Sequence, residues 1–296
     1  MNEDMNEDMN TGTASTDTYL VTGGTGRTGH RVVTRLRERG LPVRVASRRG
    51  IPPFDWHDSG TWPAALEGTT VVYLCVSPDL ALPGVDDIVA EFTRVAVESG
   101  VRRLVLLSGR GEDGARACED LVRASGIDGV VVRSSWFAQN FSEHFLLGQV
   151  LRGRVALPVD GVREPFVDLD DVADVAVRAL TDPALTGRVL EVTGPDAIGF
   201  ARAAELLSLA IGRPVDFETV TSAEFVADLT GEGVPAEDAE GLAWLFAEVL
   251  DGRNEAVTDT VEEVLGRAPR TFADYASRAA AAGAWRLTDR EGEVAR

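Results

Sequence analysis

The chain has 296 residues, 44% of them hydrophobic, enough for one large α/β domain with an appendage or for two small domains. With 48 acidic against 29 basic residues the net charge is −19, which argues against nucleic acid or an anionic membrane surface as partner, because phosphate contacts need excess basic side chains. All 29 basic residues are arginine, so Schiff-base chemistry and any lysine-assisted proton relay are excluded.

Residues 1–18 repeat Met-Asn-Glu-Asp and stay polar throughout, which reads as a disordered tail without an apolar signal region, on a cytoplasmic protein. Tyr19-Leu20-Val21 then reads as a short buried strand. The turn Thr22-Gly23-Gly24-Thr25-Gly26-Arg27-Thr28-Gly29 follows, and an amphipathic helix runs on to Arg39. Gly40 stops the helix and Pro42 follows. Three glycines stand three apart, each with its own task. Gly23 turns the chain out of the strand, and Gly26 clears a side chain from where a diphosphate approaches. Gly29 lets the helix pack closely. The helix start supplies free N–H groups and a positive dipole end, so Thr25, Gly26, Arg27 and Thr28 are candidate cofactor contacts. This G-x-x-G-x-x-G spacing resembles that of the extended and atypical short-chain dehydrogenases.

Residues 41–47 give a second strand, followed by Arg48 and Arg49. An NAD site usually carries Asp or Glu about twenty residues after its glycines. A guanidinium there suits a 2′-phosphate, so NADP(H) is expected over NAD(H), with Arg48 the leading contact and Arg27 reaching the same side. The plain alternatives are a solvated charge at Arg48 and an exposed first-turn residue at Arg27. In related folds an Asp after the third strand accepts a bond from the adenine amine. That resemblance assigns Asp55, with Trp56 beside it, while Asp58 serves equally well as a cap.

Residues 61–66 read as a short helix and 71–78 as a fourth, wholly apolar strand, whose end should bring Val76 and Ser77 to the cofactor. A helix over 84–100, a strand over 103–108, a helix over 115–125 and a strand over 129–133 continue the alternation. Glu112 and Asp113, in a Gly-rich loop, read as solvated charges. The repeated strand-then-helix order predicts an α/β fold: a Rossmann-type doubly wound parallel sheet. Typical short-chain dehydrogenases place Tyr-x-x-x-Lys on the helix over 115–125. Here neither residue is present, and the three tyrosines, Tyr19, Tyr73 and Tyr275, lie elsewhere.

Arg133-Ser134-Ser135-Trp136-Phe137-Ala138-Gln139-Asn140-Phe141 strongly resembles the Arg-Pro-x-x-Phe-x-x-Asn-Phe segment of NmrA-like proteins, with Ser134 where the family often has proline. Pro165 to Ala173 and Pro269 to Tyr275 match that family too, so the resemblance spans residues 19–285. It implies an NAD(P)-binding protein, either a reductase or a regulator without turnover. Asp168 is expected to cap a helix over 168–180, with Asp171 three residues later as a cap or dipole partner. A seventh strand covers 188–193. Beyond Gly199 helices dominate: 205–211, 222–230, 236–250, 255–266 and 271–283, with a possible strand over 215–220. The expected division is a tail over 1–18, an NADP-binding Rossmann domain over 19–195 and a smaller, mostly helical substrate-side lobe over 196–296, with 136–165 contributing to the substrate pocket.

Ligands in open α/β sheets sit at the carboxyl ends of the strands. That places Ser77, Ser108 and Ser135 near the nicotinamide, with Trp136, Phe137, Phe141 and Phe166 reading as pocket walls or, equally, as core packing, and Asn140 as a polar group. Trp244 and Phe246 would close the pocket from the lobe. Ser108 and His144 are the catalytic candidates, although His144 reads more readily as an exposed helical residue than as a catalytic acid. His30, His57, His144, Cys75 and Cys118 show no metal-ligand spacing, and both cysteines read as free core residues, so no metal is expected. The expected activity is NADPH-dependent reduction of a small apolar compound: a quinone, an imine or iminium, or an enone. An NADP(H)-sensing regulator and a non-redox isomerase or cyclase on the same scaffold stay open, as does the oligomeric state.

Overall fold

The computed structural model describes residues 17–77 and 79–287; most of the expected tail lies outside them. In chain order the strands are β1 (Tyr19–Val21), β2 (Val43–Val45), β3 (Val71–Leu74), β4 (Arg103–Gly109), β5 (Asp128–Ser134), β6 (Arg154–Leu157), β7 (Arg163–Glu164), β8 (Val189–Val192), β9 (Ile198–Gly199) and β10 (Asp216–Thr219). The helices of the nucleotide-binding half are α1 (Gly29–Glu38), α2 (Trp62–Leu66), α3 (Val85–Glu98) and α4 (Asp113–Ala124). They are followed by α5 (Asn140–Glu143), α6 (Leu147–Arg152), α7 (Leu169–Thr181), α8 (Phe200–Ile211), α9 (Ser222–Gly231), α10 (Ala236–Val249), α11 (Thr260–Leu265) and α12 (Phe272–Ala281).

Six strands form one sheet in the order β2-β1-β3-β4-β5-β8, and every pairing is parallel. Side chains alternate across it, as a strand's two-residue period requires. Tyr19, Val21, Val71, Tyr73 and Val105 pack with α1, α7 and α11 on one face. Leu20, Val72, Leu74, Leu104 and Leu106 pack with α2, α3 and α4 on the other. Burial on both faces explains why these strands read as unbroken apolar runs. The strand order reverses between β1 and β3, so a crevice for ligand opens at their carboxyl ends.

A third apolar cluster belongs to the lobe. It joins Phe141, Val155, Leu157 and Phe166 to Phe200, Phe246, Phe272 and Trp285, across the expected 195/196 boundary. β6 pairs in parallel with β10, Trp285 Nε1 donates to the Phe141 carbonyl at 2.8 Å, and Tyr275 donates to Ser142 at 2.8 Å.

Three expectations are corrected here. No third strand precedes 71–74; residues 52–58 turn back through an isolated Asp55–Asp58 bridge, with Asp58 capping the short turn after it. The helix expected over 255–266 begins only at Thr260, because Arg110 takes the carbonyls of Asn254 and Ala256 that a helix would use internally. Asp168 caps α7 through the Asp170 amide, but Asp171 is 0% exposed and ion-paired with Arg267 and Arg270. It stands in the first turn of α7, as a dipole partner should, but clamps the chain before α12 instead of capping its own helix. Among the described residues no helix is long and apolar enough to cross a membrane.

Candidate nucleotide-binding and substrate site

The site begins where Thr22 ties the end of β1 to the end of β3. Its hydroxyl accepts from the Cys75 amide at 2.8 Å and lies 3.2 Å from the Tyr73 carbonyl. The glycine turn follows with little slack. Gly23 has φ +60°, a value that suits glycine, and the Gly26 amide donates back to the Gly23 carbonyl at 2.8 Å. A Cβ on Gly29 would lie 2.1 Å from the Gly23 carbonyl oxygen. Gly29 is therefore required so that α1 can press against the turn itself. Gly26 is exposed and would present its backbone to a ligand.

α1 starts without a side-chain cap, since Thr28 turns its hydroxyl toward Cys75 Sγ, 3.7 Å away. The amides of Arg27 and Thr28 donate to no described residue. A bare-backbone turn with free amides at a helix start fits a diphosphate. Past the end of β2, Arg48 and Arg49 are exposed and pair with no described residue. Asp55 is half-buried and one carboxylate oxygen accepts from the His57 amide at 3.0 Å. Trp56 packs edge-on against Phe54 and Phe92, with ring centroids 4.8 and 5.2 Å away. Val76 is buried and Ser77 exposed at the end of β3.

Arg27 does not turn toward Arg48. Its guanidinium donates to Asn140 Oδ1 at 2.7 Å and sits 5.6 Å above the Phe137 ring. One turn on, Arg31 forms a two-pronged pair with Glu143 at 2.6 and 3.0 Å. The first helix is thus bolted to α5. His144 ends α5 in extended backbone, solvent-accessible as a residue but with its ring packed edge-on to Phe145, 5.1 Å between centroids. Burial and the neighbouring Arg27 push its imidazole down to about 4. It is neutral near pH 7 and is no imidazolium acid. Ser108 is also withdrawn from the chemistry, because it is buried and donates to Glu119 Oε1 at 2.6 Å. Glu119 is in turn paired with Arg133.

The aromatic residues divide differently from expectation. Phe166 is 2% exposed among Phe141, Phe200 and Phe272, a core residue rather than a wall. Trp136 stacks on the buried Phe246 at 5.0 Å. A cleft of about 450 Å³ opens instead between the loop after β3, the start of α4 and α10. Ala81, Leu82, Pro83, Trp244 and Leu245 form its apolar lining. Trp244, 52% exposed, is the one expected aromatic that lines it. Asp86, Glu112, Asp113 and Glu248 give it an acidic border. The cleft is built on the loops that leave the carboxyl ends of β3 and β4, and the glycine turn leaves that of β1, so the two share one edge of the sheet. Glu112, taken above for a solvated charge, is half-buried. The flanking glycines were its signal in the sequence: a Cβ on Gly109 would meet its carboxylate, and one on Gly114 would meet the Ala81 carbonyl at 2.5 Å. Among the described residues no three His, Cys, Asp or Glu side chains converge as a metal site.

A parallel sheet with its switch point beside a three-glycine turn and a cleft on the same edge defines a dinucleotide-binding Rossmann protein of the oxidoreductase class. No family model matches the chain. It is 33% identical over 293 residues to agroclavine dehydrogenase from Claviceps fusiformis, covering 88% of this chain and 96% of that protein. It is also 33% identical over 286 residues to an NAD(P)H azoreductase from Xenophilus azovorans, covering 89% and 98%. Among solved structures, an NADPH-dependent quinone oxidoreductase from Escherichia coli, complexed with NADPH, shares the fold with a TM-score of 0.76 at 20% identity, over 88% of this chain and 99% of that one. The chain belongs to the NmrA-like family of atypical short-chain dehydrogenases/reductases.

Proposed function

We propose that the chain is an NADPH-dependent reductase of a small, mostly apolar acceptor: a quinone, an imine or iminium, or an enone. The observation that carries this reading is the meeting, on one sheet edge, of a bare glycine turn with free amides and an apolar cleft bordered by α10. The Arg27 and Thr28 amides would hold the diphosphate, the unpaired Arg48 the 2′-phosphate and Asp55 the adenine amine. NADPH, when bound, supplies the hydride, and the protein's task is then to position the acceptor and exclude water. The azoreductase and quinone oxidoreductase relatives support NADPH as the cofactor.

Without Tyr-x-x-x-Lys the chain lacks the usual device for polarising a carbonyl. Acceptors that are already electron-poor fit best. The acidic border favours one that carries or gains positive charge, which ranks imines and iminium ions first. The test is NADPH consumption across a panel of quinones, cyclic imines and enones. Turnover of at least one class is expected; tight NADPH binding with no consumption on any of them overturns the reading.

A further inference from the structure

Glu112 occupies the N-cap position of α4 and lines the cleft. A carboxylate there ordinarily accepts from the first free amides of its helix and is favoured by the helix dipole. Glu112 makes no such bond. Its carboxyl folds back over the end of β4, where a Cβ on Gly109 would lie 2.4 Å from both of its oxygens. It has no hydrogen bond or ion pair with any described residue. The helix is the one on which typical relatives carry their Tyr-x-x-x-Lys pair. A carboxyl that forgoes its own cap, and for which glycine at 109 leaves the room, is placed to act on whatever the cleft holds.

We propose that Glu112 is the acid that gives a proton to the nitrogen or oxygen of the acceptor, in the place of the missing tyrosine. This assignment rests on the reductase reading above. For a cyclic imine, the nitrogen lone pair takes the Glu112 proton to give the iminium, and the hydride supplied by NADPH makes the new C–H bond while the C=N π pair becomes the amine lone pair. The products are the amine and NADP⁺, and Glu112, left as a carboxylate, regains its proton from solvent. The carboxylate formed also faces the transient iminium charge.

The surroundings keep the proton on Glu112 until it is needed. Burial, with Asp79 from the loop after β3 and Glu119 from α4 adding like charge, pushes its carboxyl up to about 8. Glu119 is already paired with Arg133. Asp86 on α3, Asp113 on α4 and Glu248 on α10 add further negative charge around the cleft. The neighbouring cation, Arg253, is held by Asp251 at 2.7 Å, lies 3.6 Å from Glu248 and donates to the Gly111 carbonyl. The acid is thus protonated at neutral pH.

Two measurements test the assignment on the full chain. In the first, wild type and Glu112→Gln are assayed with NADPH and two probes, 3,4-dihydroisoquinoline and its N-methyl iminium salt. The neutral imine needs a proton and the salt does not. The variant should lose roughly 100-fold or more in kcat on the imine, within the range of general-acid catalysis, and less than about tenfold on the salt. Equal loss on both probes, or none on either, overturns the assignment. In the second, ¹³C NMR follows the glutamate carboxyl resonance that is absent from Glu112→Gln, with NADP⁺ present. A midpoint near 8 is expected. A midpoint in the ordinary range, near ~4.3, overturns the assignment while leaving the reductase reading intact. If wild type binds NADPH but consumes none with any quinone, imine, iminium or enone, the reductase reading falls and takes the acid with it.

Discussion

Replacing Glu164 by glutamine should make stability less dependent on pH. Glu164 lies on β7, is 0% exposed, and neither carboxylate oxygen has a hydrogen-bond partner. Burial pushes its carboxyl up to about 8; Arg110 pulls the other way, and Glu255 and Asp251 add to the rise. The folded state therefore keeps a proton that the unfolded chain releases near 4.5. The sign follows from that difference. The contribution of Glu164 to stability is complete below pH 4.5 and is lost as pH climbs through about 8. An interval of roughly 3.5 pH units at ~1.4 kcal/mol each sets a ceiling of ~5 kcal/mol. Glutamine keeps the shape and cannot ionise, but it buries an amide without a partner, at a cost of about 1–3 kcal/mol at every pH. At pH 5 the variant should be slightly the less stable; by pH 9 it should be the more stable by ~2–4 kcal/mol. Urea unfolding from pH 5 to 9, with midpoint and slope fitted at each step, reads this directly. Parallel pH profiles for the two proteins would refute the reasoning.

Arg48→Asp should weaken NADPH by at least tenfold, through loss of a charge-assisted contact worth about 1.5–3 kcal/mol, and leave NADH nearly unchanged in a fluorescence titration. An unaltered preference would mean that Arg48 is only a surface charge. Gly29→Ala should abolish nucleotide binding and lower stability by roughly 3 kcal/mol or more, since its methyl would strike a backbone carbonyl that cannot step aside. A folded, nucleotide-binding alanine variant would show that the turn has slack the structure does not display.

The Rossmann half was legible because its signals are local. The spacing of Gly23, Gly26 and Gly29, and the apolar runs over 71–74 and 104–107, each mark their element within a few residues. The lobe was harder to read, because its pairings are remote. Nothing near Arg154 announces β6, whose only strand partner among the described residues is β10, some sixty positions on. The bonds from Arg27 to Asn140 and from Arg31 to Glu143 join residues more than a hundred positions apart, and a single chain gives no sign of them. Glu112 was misread for a related reason. A glutamate among glycines looks solvated until the loop after β3, the start of α3 and α10 are folded around it. Aromatic residues after β5 suggested pocket walls by their position, yet Phe141 and Phe166 serve packing and leave the wall to Trp244.

The lobe's core is stitched from two stretches, 138–166 and 200–285, with α7 and β8 of the nucleotide-binding half passing between them. Transplanting specificity from one relative to another by exchanging the tail half of the gene would therefore deliver half of a jigsaw. Phe272 and Trp285 would meet a foreign Phe141, and the imported α10 would close over a cleft whose other walls stayed behind. A working chimera must carry both stretches together, so lineages that diversify their substrates are expected to alter them in concert.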